Sequence, residues 1–389
     1  MERTQVGIVG AGPAGLFLSH LLHLAGIDNV VIEARSREYI EGRIRAGVLE
    51  HGVVEALEQA GVGARMREIG LPHEGTNFLF GGTLHRIDFQ ALTGKSVMVY
   101  SQHEVVRDLV AARIAAQGNL IFEAADVRVE GFGTGAPVLH YKSDGTSREL
   151  LCDIVAGCDG FHGICRPSFG PTAYDRIYPF GWLGILAEAP MSTEELVYAN
   201  HDRGFALLSM RSPQVQRMYL QCAPDEDVEA WSDDRIWSEL ETRLQNDRFT
   251  LKTGRIFQRG VTPMRSYVAE PMQSGRLFLA GDAGHIVPPT GAKGMNSAIG
   301  DVMLLARALE RWFKRGDESG LNAYSATALR RIWKVQRFSW WMTTLFHRFE
   351  NAPPFDRRVQ LAELDYVTTS KAAATALAEN YVGLPLEAS

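Results

Sequence analysis

The feature that most restricts what this chain can fold into is a glycine-rich turn near its start, Gly10-Ala11-Gly12-Pro13-Ala14-Gly15. Before it, Gln5-Val6-Gly7-Ile8-Val9 is an apolar run that predicts a buried strand. After it, Leu16, Phe17, Leu21, Leu22 and Leu24 recur at roughly helical spacing, and Asn29 to Ile32 is a second β-branched run. Strand, turn, helix and strand form a βαβ unit. In that setting Gly10 permits the tight turn, Gly12 lets backbone approach a pyrophosphate, and Gly15 allows close packing of helix on strand. The helix that begins beside Ala14 offers unpaired N–H groups and a partial positive charge to a diphosphate. Glu33 stands 18 residues after Gly15, at the end of the second strand. There a carboxylate accepts hydrogen bonds from a ribose diol.

The turn does not by itself separate a nicotinamide from a flavin dinucleotide, but two later segments do. Gly275-Arg276-Leu277-Phe278-Leu279-Ala280-Gly281-Asp282-Ala283 is a strand that delivers an aspartate at its C-terminal end. It resembles the second flavin fingerprint, whose aspartate holds the ribityl chain. Gly157-Cys158-Asp159-Gly160-Phe161-His162-Gly163, followed by Arg166, resembles the aspartate–glycine motif of flavoprotein monooxygenases, which contacts flavin and pyridine nucleotide. Gly-Asp and Asp-Gly are common turns taken singly; three motifs in this order assign FAD.

Composition limits the rest. A formal net charge of −6 gives no global attraction to nucleic acid or to an anionic membrane. No run of about 18 apolar residues is present to span a bilayer. The N-terminal residues carry no secretory apolar segment, and Cys152, Cys158, Cys165 and Cys222 show neither paired nor zinc-type spacing. We therefore expect a cytoplasmic protein with reduced thiols and no metal.

Along the chain, residues 98–126 predict a strand, a helix from Glu104 to Gln117 and another strand. Residues 135–156 predict a hairpin about Ser143-Asp144-Gly145. Residues 177–267 alternate as sheet, with one helix near 232–245, and helical patterns fill most of the chain beyond residue 281. The expected fold is α/β. An FAD-binding Rossmann-like βαβ domain (1–72, 97–176 and 268–345) interleaves with a mixed-sheet substrate domain (73–96 and 177–267), and C-terminal helices (346–389) complete the chain. Phe338, Trp340, Trp341, Phe346 and Phe349 concentrate aromatic surface near the end and predict a homodimer interface.

Longer stretches carry a narrower resemblance. These are Gly42-Arg43-Ile44-Arg45-Ala46-Gly47-Val48-Leu49-Glu50, Tyr178-Pro179-Phe180-Gly181-Trp182-Leu183-Gly184 and Tyr198-Ala199-Asn200-His201. His285 to Gly294 and Glu379 to Pro385 belong with them. On these the chain resembles the 4-hydroxybenzoate 3-monooxygenases (para-hydroxybenzoate hydroxylases), single-component flavoprotein aromatic hydroxylases, nearly end to end. The resemblance implies hydroxylation of 4-hydroxybenzoate to 3,4-dihydroxybenzoate with O2 and NADH or NADPH, through a flavin C4a-hydroperoxide.

Carried over by position, Ser209, Arg211 and Tyr219 hold the substrate carboxylate. A guanidinium fork matches a carboxylate bidentately, and two hydroxyls complete its hydrogen bonding. Tyr198 contacts the phenol oxygen, Tyr381 stands behind it, and His73 ends a proton relay to water. Pro289 offers its carbonyl to the reacting centre. Gly291, Lys293, Gly294 and Asn296 form the loop and helix start beneath the flavin pyrimidine, where a helix N-terminus stabilises the anionic reduced ring. Arg43, Arg45 and Gln102 contact the FAD, and Arg217 helps the ring move.

The chain departs from the family pattern at Ala14, Gly284 and Ser297, small changes on the cofactor side. Ala34 is a larger departure, because strict NADPH users of the family carry arginine there; Arg35, Arg37 and Tyr39 lie close by. Neighbouring readings are a sibling hydroxylase for another phenolic acid such as 3-hydroxybenzoate, a flavin-binding sensor, and a plain NAD dehydrogenase.

Overall fold

A computed structural model of the chain describes residues 2–43, 45, 47–133 and 135–386. Ile44 and Ala46, part of the first of the longer family stretches, lie outside the described residues.

The opening strand Glu2–Val9 lies at the centre of an eight-stranded sheet. It pairs in parallel with Asn29–Ile32 on one side and Thr146–Gly157 on the other. Asn119–Ile121 and Leu277–Leu279 extend the parallel run outward. Where these strands are buried on both faces, at residues 6–9, 29–32, 154–157 and 277–279, they read as near-continuous apolar runs. The predicted hairpin forms: Val138–Ser143 and Thr146–Gly157 pair antiparallel with Ser143 opposite Thr146. Asp144 and Gly145 both take positive φ between them, as a two-residue turn with the twist of the strands demands. Helices Pro13–Leu24, Gln102–Ala115 and Gly294–Arg315 pack beside this sheet. Val6, Ile8, Leu16, Phe17, Leu109, Ile299 and Leu305 form its core.

A second eight-stranded sheet runs His285–Ile286, Arg255–Glu270, Thr172–Glu188, Val215–Cys222, Ala206–Ser212, Val197–Asn200, Gly75–Phe80, Thr83–Asp88. It is antiparallel except where Val197–Asn200 meets Gly75–Phe80. Residues 75–88 therefore join 177–267 in one sheet, while the long strands Thr172–Glu188 and Arg255–Glu270 cross both positions at which the sequence suggests a domain border. Side chains alternate with period two. Val197, Ala199, Ala206, Leu208, Met218 and Leu220 face the helix Asp233–Arg243, which begins at Ser232 as the sequence suggests. Tyr198, Phe205, Leu207 and Tyr219 face the other way, against Phe338, Phe346, Leu377 and Tyr381 of the C-terminal helices. A small sheet, Val48–Leu49, Val97–Val99 and Leu71–His73, bridges the two large ones.

The aromatic stretch near the end is not the interface that the sequence suggests. Phe338 and Phe346 are 1% exposed and belong to their own chain's core, so they are not free to build a partner interface. Trp341 and Phe349 pack partly on the same core, and of the five only Trp340 stands exposed. The helix Ser319–Phe346 presents one face to the second sheet, and an aromatic run at helical spacing serves that burial first.

Candidate active site

The three dinucleotide motifs meet at the C-terminal ends of the parallel strands. Gly10 has φ +101, and a Cβ there would lie 2.4 Å from the carbonyl oxygen of Cys158. The Cys158 N–H donates to Val9 O at 2.8 Å, so the first motif rests directly on the aspartate–glycine motif. A Cβ on Gly15 would fall 2.0 Å from Gly10 O, which is the close helix–strand approach expected of that glycine. Gly12, by contrast, precedes the helix Pro13–Leu24 and has no atom within 4 Å of an added Cβ: the turn opens outward there. Buried Ala14 touches the third motif, since a Cβ on Gly281 would meet the Ala14 methyl at 3.6 Å.

Glu33 sits across the mouth of the turn, accepting from Ala11 N at 2.7 Å and Arg35 N at 2.8 Å. Asp159 accepts from Cys165 N at 2.9 Å through one oxygen; the other is buried and without a partner, and burial raises the carboxyl's pKa. Asp282 is half exposed, 4.0 Å from the guanidinium of Arg45. Arg43 is exposed and lies over the ring of Tyr39. Gln102 opens the helix Gln102–Ala115. The open glycine turn, the carboxylate at its mouth and the orphaned Asp159 oxygen fit an FAD-type dinucleotide with its ribose at Glu33 and its diphosphate at the helix start.

The loop after Asp282 leads to the second half of the site. Pro289–Gly291 is a 3-10 turn; Pro289 is exposed and its carbonyl accepts from Ala292 N at 2.9 Å. The 22-residue helix Gly294–Arg315 begins immediately after, and a Cβ on Gly294 would meet nothing within 4 Å. Gly291 is packed on Phe338. Lys293 and Asn296 turn inward. The Lys293 ammonium pairs with Glu50 at 2.6 Å and donates to the carbonyls of Asn380 and Tyr381. The Asn296 amide binds Val48 O, Ala292 O and Glu50 N. Their side chains thus shape the loop from behind, and the backbone N–H groups of the helix start remain for a ligand. Glu50 is the residue that local reasoning passes over, because its partner Lys293 is 243 positions away.

On the inward face of the second sheet, Tyr198 stands opposite Leu207, and Leu207 opposite Tyr219. One row further, Ser209 stands opposite Arg217 and its hydroxyl donates to Arg217 O at 3.0 Å. Arg211 lies beyond it, at an irregularity of register. Burial and the Arg217 cation push its pKa down to about 10. Arg217 lies 5.0 Å over the ring of Tyr219. Among the described residues, buried guanidinium nitrogens of both arginines lack partners and neither arginine has a carboxylate partner, an arrangement that calls for an anion from outside the chain.

Tyr198 is 1% exposed, and its hydroxyl meets that of Tyr381 at 2.7 Å. Burial raises the pKa of both, that of Tyr381 to about 12, so each stays protonated and able to pass a hydrogen bond along. His73 is 1% exposed, with both ring nitrogens lacking a partner, and burial lowers its pKa to about 4. It is not hydrogen-bonded to Tyr381 directly. The structure therefore joins Tyr198 to Tyr381, Ser209 to Arg217 and Arg217 to Tyr219, places Arg211 on the same strand as Ser209, and leaves His73 apart.

Comparison with known proteins places this architecture. A model of the FAD binding domain family matches residues 3–339. The p-hydroxybenzoate hydroxylase of Acinetobacter baylyi is 49% identical over 99% of this chain and 96% of its own. A 3-(3-hydroxy-phenyl)propionate/3-hydroxycinnamic acid hydroxylase of Mycobacterium avium is 26% identical over 77% of this chain and 53% of its own. Among solved structures, a p-nitrophenol 4-monooxygenase from Pseudomonas putida superposes with a TM-score of 0.82 at 20% identity, covering 99% of this chain and 100% of that one. Identity so extensive with the first of these leaves no ambiguity of membership: the chain belongs to the p-hydroxybenzoate hydroxylase family of FAD-dependent monooxygenases.

Proposed function

We propose that the substrate is 4-hydroxybenzoate, hydroxylated beside its phenol to 3,4-dihydroxybenzoate with O2 and NADH or NADPH. The observation that carries this reading is one sheet face with a buried hydroxyl pair at one end and a carboxylate-free arginine at the other. Tyr198 and Tyr219 lie two strands apart, about 10 Å at the backbone, a separation suited to a ring with its polar groups para.

Bound FAD supplies the redox chemistry, accepting hydride from NAD(P)H and activating dioxygen. The chain supplies position, charge and dryness. Arg211, with the hydroxyls of Ser209 and Tyr219, anchors the carboxylate. Tyr198 takes the hydrogen bond of the phenol, and Tyr381 carries the proton onward from the buried site, because the ring is reactive only as its phenolate. His73, neutral at pH 7, receives it at the end of the relay. The Pro289 carbonyl would face the reacting centre, and the N-terminus of Gly294–Arg315 would stabilise the negative charge of the reduced ring. Arg43, Arg45, Gln102, Asp159 and Asp282 hold the cofactor, and Arg217 guides its ring.

Two finer features belong to the same reading. No helix among the described residues is long and apolar enough to cross a membrane, and the four cysteines are free, in keeping with the cytoplasm. A homodimer forms through the outer faces of the last helices, where Trp340, Phe355, Val359 and Tyr366 are exposed; a monomer in sedimentation at micromolar concentration contradicts it. The central test is purification with FAD, then measurement of NADH and NADPH oxidation with and without 4-hydroxybenzoate. Stimulated oxidation with 3,4-dihydroxybenzoate as product is the expected result. Stimulation by 3-hydroxybenzoate alone overturns the substrate assignment.

A further inference from the structure

Among the described residues Arg211 is held by a single side-chain hydrogen bond, from Nη1 to the hydroxyl of Ser101 at 3.0 Å. Four other arginines show how this chain takes its carboxylates. Arg86, Arg203, Arg255 and Arg265 each donate from Nε and Nη2 to the two oxygens of Glu195, Glu239, Glu188 and Asp175 respectively. At Arg211 that same edge is the one without a partner among the described residues, and its Nε is buried. The remaining nitrogen is the one tied to Ser101.

Ser101 is diverted from an ordinary duty. It precedes the helix Gln102–Ala115 with the extended backbone of an N-cap, yet its side chain makes no cap bond. Ser36, Ser232 and Ser370, in the same position before other helices, all accept from a backbone N–H of the first turn. Ser101 is also fixed in place. It is 9% exposed, Tyr100 N donates to Gly47 O at 3.1 Å, and a Cβ on Gly47 would come within 2.0 Å of Tyr100 O and 2.8 Å of Ser101 Cα.

We propose that Ser101 is a positioning residue of the carboxylate site: its hydroxyl fixes Arg211 so that the Nε–Nη2 edge is presented to the ligand. The inference rests on the proposal that Arg211 anchors 4-hydroxybenzoate. A side chain as long as arginine loses rotamer freedom on binding unless something has already restricted it, so pre-orientation shows as affinity.

The test uses the FAD-loaded enzyme and two ligands, 4-hydroxybenzoate and its uncharged amide, titrated by the change in flavin absorbance. Ser101→Ala is expected to bind the acid about 10-fold more weakly, a loss of about 1.4 kcal/mol, and the amide within about twofold of wild type. KM for the acid rises with kcat little changed. Ser101→Thr, which keeps the hydroxyl, recovers most of the affinity. The melting temperature of Ser101→Ala falls by only a few degrees, because one hydrogen bond to Arg211 and no cap bond is removed. Ser101→Ala binding the acid as tightly as wild type, or losing acid and amide equally, overturns the role of Ser101 alone. A wild-type holoenzyme that binds no 4-hydroxybenzoate overturns the substrate reading on which it rests.

Discussion

The two halves of the site are built from different materials. The dinucleotide cradle is made of backbone: Gly10, Gly12 and Gly15 within one turn, with Cys158 and Gly281 pressed against it from neighbouring strand ends. The ring pocket is made of side chains brought from afar, Tyr198 to Tyr381 across 183 residues and Arg211 to Ser101 across 110. Where Gly10 and Gly15 press on main chain, the cradle tolerates no added atom, because that main chain cannot yield. A side-chain pocket keeps its shape when an atom is removed and loses only the chemistry of that atom. The same contrast fixes how each half fails.

The largest expected effect is on the cradle. Gly15→Ala places a methyl group 2.0 Å from Gly10 O. It is expected to cost on the order of 3 kcal/mol of stability and to yield protein without flavin absorbance. A yellow, wild-type-like preparation would break the contrast. In the pocket, Tyr198→Phe leaves cradle and fold intact: FAD binds and is reduced, while hydroxylation slows about 100-fold. The readout is product formed per NAD(P)H oxidised, and unchanged coupling removes Tyr198 from the chemistry. Arg211→Lys keeps the charge and loses the fork, weakening 4-hydroxybenzoate by roughly 1.5–3 kcal/mol, about 10- to 150-fold. Equal affinity in an equilibrium titration refutes the anchor.

His73 ties the pocket to stability. In the fold its pKa is about 4, and in the unfolded chain a histidine titrates near 6.5. Between those values the unfolded state binds a proton that the folded state refuses, so stability is complete above about pH 6.5 and falls as pH drops toward 4. His73→Gln should lose about 2 kcal/mol less than wild type between pH 7 and pH 5 in urea unfolding. Identical pH slopes would place His73 in a wetter setting than its burial indicates.

The smallest effect concerns the electron donor, which we propose docks on the surface beside the exit of the second strand. Ala34 offers no charge to a 2′-phosphate, Arg37 is paired with Glu41 at 2.7 Å, and Arg35 and Arg43 lie 5.5 and 5.9 Å from the centre of the Tyr39 ring. We expect kcat/KM for NADH and NADPH to agree within about tenfold, since a charge-assisted contact is worth roughly 1.5–3 kcal/mol. A preference for NADPH above about 100-fold, near 2.7 kcal/mol, means that Arg35 or Arg37 has replaced the missing arginine.

What the sequence determined by itself is what short-range geometry dictates. The βαβ unit, the glycine turn with Glu33 at its mouth, the hairpin at Asp144-Gly145 and the helix capped by Ser232 all arise from residues close to one another in the chain, where φ, capping and periodicity act directly. The family stretches extended this to the residue types of the pocket. Only the tertiary structure decided how those residues are used. Lys293 and Asn296 read as cofactor contacts, yet their side chains are consumed by Glu50, Val48 and the carbonyls of Asn380 and Tyr381. Phe338 and Phe346 read as interface, yet they fill the core beneath Tyr198. Ser101 carries no local mark at all, because the hydroxyl that an N-cap serine gives its own helix is here given to Arg211. In each case the deciding partner lies far along the chain or on another layer of the fold, and burial, unlike φ, is a property of the whole chain.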